Sequence, residues 1–67
     1  MVTERWSSLI IRVWAVEGEP GAFRVRLLTV GDIAGAYETI AVAADTESVL
    51  EGARLWLEHF QATLQGG

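Results

Sequence analysis

Apolar positions follow a two-residue rhythm as far as Ala43 and a helical one beyond Asp45. Ser8 to Val16 (S-L-I-I-R-V-W-A-V) and Ala22 to Val30 (A-F-R-V-R-L-L-T-V) are rich in β-branched and aromatic residues, which pack well on a pleated surface. Both read as strands. Between them lies Glu17-Gly18-Glu19-Pro20-Gly21. Proline presets φ and glycine permits φ above zero, so this segment predicts a hairpin turn. A second break, Gly31 to Gly35, leads into a third strand over about residues 36–43, with Y-E-T-I-A-V-A from Tyr37 to Ala43.

The helix is predicted over about residues 46–64. Asp45 is the expected N-cap, because its carboxylate can accept from free N–H groups of the first turn, and Glu47 suits the positive end of the helix dipole. Val49, Leu50, Ala53, Trp56, Leu57, Phe60 and Leu64 fall within a stripe about 120° wide at ~100° per residue. Glu47, Glu51, Arg54, Glu58 and Gln61 take the other side, with Arg54 spaced to pair with both Glu51 and Glu58. The order is strand, strand, strand, helix. Short connections then predict an α+β fold in which residues 1–67 form a single domain. Its sheet is a three-stranded antiparallel meander with strand two central and the C-terminal helix on one face.

Alternation divides the sheet into two faces. Leu9, Ile11, Val13 and Ala15, with Phe23, Val25 and Leu27, form the set expected under the helix. Ile10, Arg12, Trp14 and Val16, with Arg24, Arg26 and Leu28, form the outer set. A hairpin centred on Glu19 sets Trp14 beside Arg24, Arg12 beside Arg26 and Ile10 beside Leu28. Register decides the third strand: either Ile40 and Val42 join the outer face, or Tyr37, Thr39 and Ala41 do. A solvated outer face normally carries Thr, Lys, Glu and Ser. Here it carries Trp, Ile and Leu with arginines between them, the residue types enriched at binding hot spots. Arg12 and Arg26 repel unless a carboxylate, from a partner or from Glu38, sits between them. Ile10, Arg12, Trp14, Arg24, Arg26 and Leu28 are therefore the expected contact surface.

Composition narrows the chemistry. The chain of 67 residues has no cysteine, one histidine (His59) and no lysine. That excludes disulfides, thiol nucleophiles, Schiff-base chemistry and the P-loop lysine. No catalytic residues, metal or cofactor are expected, since no residue set supplies a shielded carboxylate pair or a histidine with a nucleophile. A domain this small has a marginal core and commonly relies on reinforcement, which here leaves association. Net charge is −4, against general nucleic-acid binding. No apolar run reaches the ~20 residues of a membrane helix, and Met1 to Ser8 has no secretory-signal pattern. No membrane partner and a cytoplasmic location are expected.

Two family resemblances bear on function. The tail Gln65-Gly66-Gly67 resembles that of ubiquitin-like modifiers and small sulfur carriers, which implies covalent chemistry at the terminal glycine. In those β-grasp proteins a strand feeds the tail, whereas a helix feeds it here. The strand-strand-strand-helix order is similar to AP2-type and integrase arm-type DNA-binding domains, which implies a sheet laid in the major groove. This resemblance is of topology alone, and no family motif accompanies it. The expected function remains a non-enzymatic protein-protein interaction module, either a homodimer or a small accessory subunit using the outer sheet face.

Overall fold

A computed structural model of the chain describes residues 4–32 and 37–65. The start of the third strand at residue 36, most of the second break, the first three residues and the Gly66-Gly67 tail lie outside the described residues. Strand β1 spans Ser7–Ala15, β2 Phe23–Gly31 and β3 Glu38–Ala43, and helix α1 spans Thr46–Gln65. The sheet is antiparallel in the order β1-β2-β3, with α1 packed on one face, an α+β fold.

The β1–β2 hairpin is closed by two overlapping turns. The Ala22 N–H donates to the Glu19 carbonyl at 3.0 Å, with Pro20 and Gly21 (φ 81°) at the centre. This is the dihedral pattern of a type II turn, which needs positive φ at its third residue. The Glu19 N–H donates to the Val16 carbonyl across Gly18 (φ 83°) in the same way. Register follows from that turn: Trp14 opposes Arg24, Arg12 opposes Arg26 and Ile10 opposes Leu28.

The third strand follows neither uniform register. Leu27 pairs with Ala41 and Leu28 with Thr39, so Ile40 is an extra residue in a β-bulge. Opposed residues share a face. Val42, across from Arg26, and Thr39, across from Leu28, therefore lie on the outer face, while Ala41, Ala43 and Glu38 lie on the helix side. The bulge makes the one-residue slip in mid-strand and splits both expected sets.

Helix α1 starts as its sequence dictates. The Ser48 N–H donates to Asp45 Oδ1 at 2.7 Å, an N-cap, and Arg54 pairs with Glu51 and Glu58 on the exposed side. Gly52 lies on Leu27 so closely that a Cβ there would overlap Leu27 Cδ1. One turn on, the Trp56 Nε1–H donates to Thr29 Oγ1 at 3.1 Å. Thr29 Oγ1 lies 3.1 Å from Ser7 Oγ, so a chain of hydroxyls ties the helix to β2 and β1. These contacts align α1 along β2, from the Val25 end towards Gly31.

The helix therefore covers less than its apolar stripe suggests. Val25, Leu27 and Leu28, all on β2, are the only buried side chains among the described residues, and α1 contributes none. Ile11 and Val13 lie on the helix side of β1, yet remain 48% and 57% exposed. The underside that alternation assigns to the core is covered over β2 and open over β1.

Two predictions test this arrangement. Gly52→Ala should lower stability by about 1 kcal/mol, because overpacking costs ~1–3 kcal/mol against a helix-propensity gain of ~1 kcal/mol. In a Leu27→Val background, which removes the δ-carbons, the same substitution should become stabilising. Urea unfolding of the four proteins measures the reversal, and equal effects in both backgrounds would refute the contact. The second concerns Asp45, whose hydrogen bond from Ser48 holds its carboxyl below the ordinary 3.8. A depressed folded-state pKa adds stability above pH 3.8 that is lost as pH falls through the lower folded value. Asp45→Asn should keep the cap but flatten that acid limb, as followed by helical circular dichroism.

Candidate protein-interaction surface

Outer-face residues are positioned by the even register of the hairpin. Arg12, Trp14, Arg24 and Arg26 form a two-by-two block on adjacent strands, and Val42 extends it onto β3. Trp14 is 44% exposed and Val42 70%, and all three arginines are exposed. The Arg24 Nη1 donates to the carbonyl of its neighbour Phe23 at 3.1 Å, which turns that guanidinium back along its own strand. Ile10 is half-buried, and Leu28, on the central strand between Ile10 and Thr39, is buried within the face. Of the six expected contact residues, four are displayed to solvent, Ile10 is partly available, and Leu28 supports the face from within. Substituting Leu28 would probe folding as much as contact.

Charge on this surface is of one sign. Among the described residues, ion pairs are confined to Arg54 with Glu51 and Glu58 on the far side of the helix. Glu38 does not bridge Arg12 and Arg26: it pairs across the ladder with Thr29, on the helix side. The remaining described carboxylates sit at the chain start, in the turns and on α1. A chain of net charge −4 thus presents a sheet face on which the only charged side chains among the paired strand residues are arginines.

Alternation could not foresee a cavity at the Gly31 end of the sheet. It has a volume of about 560 Å³, with Trp6, Ile40, Leu55, Trp56 and Phe60 among its walls and Glu38 and His59 at its margin. The bulge brings Ile40 there alongside Ala41. Trp6, left out of the strand pattern, enters because its carbonyl accepts from the Asp32 N–H at 3.3 Å and continues the ladder beyond Ser7. His59 is exposed, and no cluster of three or more metal-ligating side chains occurs among the described residues. No described helix is long and apolar enough to cross a membrane.

A scan of protein-family models, a search of curated proteins and a search of solved structures each return no match to this chain.

Proposed function

We propose that the chain is a non-enzymatic protein-protein interaction module, an assembling or accessory subunit whose outer sheet face grips a carboxylate-bearing protein surface. One observation carries the reading: exposed Trp14 stands among Arg12, Arg24 and Arg26, with no acidic side chain among the paired strand residues of that face. Guanidinium groups bind carboxylates through paired, charge-assisted hydrogen bonds, and a neighbouring indole supplies apolar area to exclude water. Arg12 and Arg26 face each other across the ladder, an arrangement that an incoming carboxylate relieves. Acidic groups elsewhere on the chain keep such a partner from binding indiscriminately.

A second reading draws on the same guanidinium block. Three arginines on a three-stranded sheet also suit phosphates, as in sheet-mediated nucleic-acid binding. The net charge of −4 and the exposed apolar Val42 favour a protein instead.

Affinity capture on the immobilised chain separates these readings. The parent should retain a partner from extract of its own source cells, and Trp14→Ala with Arg26→Glu should weaken that capture at least ~30-fold, as loss of a hot spot does. Circular dichroism should stay unchanged, because both residues are exposed. Equal retention by parent and variant defeats the outer-face reading. Capture abolished by nuclease treatment would transfer the function to nucleic acid.

A further inference from the structure

We infer that β1 is the seam of a two-fold dimer of this chain, separate from the outer face and resting on different observations. The Val16 N–H donates to the Ala22 carbonyl and the Asp32 N–H to the Trp6 carbonyl. Hydrogen-bonded and non-hydrogen-bonded pairs alternate in an antiparallel ladder, so the even residues of β1 bond to β2. Leu9, Ile11 and Val13 therefore direct both backbone groups outward from the sheet edge. The edge runs nine residues in unbroken register without a proline or a bulge, so it lacks two of the common devices that discourage strand addition.

This edge is complementary to itself. Ile11 is the midpoint of Ser7–Ala15. Antiparallel pairing of two copies about Ile11 sets Ile11 against its own counterpart, Leu9 against Val13 and Ser7 against Ala15. On the other face Ile10 meets Arg12 and Ser8 meets Trp14. No like charges oppose, and the outward donors and acceptors of the odd residues meet. A seam centred on Arg12 would still let the outward groups of the odd residues meet, but it would oppose two arginines directly.

The helix supplies the second half of the interface. At about 100° per residue, Leu55 and Leu57 project to opposite sides of Trp56. Leu55 and His59 border the cavity with Glu38 and Ile40 of β3, so the row Leu50, Leu57 and Leu64 looks the other way, over β1. Leu50 is 64% exposed and Leu57 53%. Beneath this row lie the half-exposed Ile11 and Val13. Joining two copies along β1 makes a six-stranded sheet with both helices on one side. The leucine rows then face each other above a floor of Ile11 and Val13.

The surface area matches this occupant. The chain exposes 5247 Å², whereas a compact monomer of 7.3 kDa exposes about 4,200 Å². The chain's exposed surface includes Ile11 and Val13 on β1 and Leu50 and Leu57 on the helix flank, the area a two-fold seam would cover, where a standard stable interface takes ~800 Å² from each partner. The radius of gyration, 14.6 Å, likewise exceeds the ~11 Å expected of a compact chain of this length.

Sedimentation velocity at micromolar concentration should show a dimer. Leu50→Glu with Leu57→Lys, at positions exposed in the single chain, should raise the dimer dissociation constant at least 30-fold. Ile11→Pro, which removes an outward N–H and leaves the β2 ladder intact, should do the same. The chain has no cysteine, so Ile11→Cys should crosslink to its counterpart under mild oxidation, while Val42→Cys should not. A monomer that Ile11→Cys fails to crosslink overturns the seam and leaves the capture experiment to judge the outer face independently. A dimer crosslinked through Val42→Cys also overturns it, and places self-association on the outer face instead.

Discussion

Helix α1 reaches the sheet through Gly52, and the absence of a side chain there governs what the surrounding apolar residues meet. Because the backbone comes down on Leu27, the helix axis lies along β2. Trp56 is then carried to Thr29, where its indole N–H finds the acceptor it requires in a partly buried site. The same placement rotates the seven-residue apolar stripe about its axis. Val49, Ala53, Trp56 and Phe60 become half-buried, while Leu50, Leu57 and Leu64 are left on the flank. A bulkier residue at this position would hold the helix off the sheet and loosen Leu27.

Much of this architecture is legible in the residue pattern, for identifiable reasons. The hairpin could be read because Pro20-Gly21 demands one turn geometry, and that turn dictates every pairing back to Ser7. Asp45 and the Arg54 pairs could be read because helical spacing brings near neighbours together whatever the tertiary context. The facing of β3 could not. A bulge is a ladder event, and nothing local in Thr39-Ile40-Ala41 distinguishes an extra residue from a regular one. The helix rotation was hidden too: a hydrophobic stripe gives the direction of burial only as an average, and Gly52, which sets the true direction, contributes nothing to that average. The outer surface was legible in Arg12, Trp14, Arg24 and Arg26. It was misleading at Leu28, because alternation assigns a face but not its depth, and the centre of a three-stranded sheet is sheltered even on its open side.

Charge is distributed with the same economy. Carboxylates concentrate on the solvent side of α1 and at the turns, where Asp45 and Glu47 also complement the helix dipole. Arg54 is held by Glu51 and Glu58, and both contacts favour its charged form. Arg12, Arg24 and Arg26 have no such role within the described fold. Their clustering around an indole includes the directly opposed Arg12 and Arg26, a pairing that does not favour stability.

The two unpartnered surfaces are therefore not equivalent. Three buried side chains on one strand give this fold a thin core, so covering β1 would enlarge the core itself, and folding and dimer formation would become a single concentration-dependent equilibrium. Residues such as Ile11 and Leu57 are then constrained by stability. Trp14 and its arginines would remain solvent-facing even in such a six-stranded sheet, repeated on both sides of its two-fold axis. Nothing in folding or self-assembly requires them to be there. An apolar and cationic surface that neither folding nor the proposed seam uses is the one we propose for a partner, and a two-fold axis would present two copies of it.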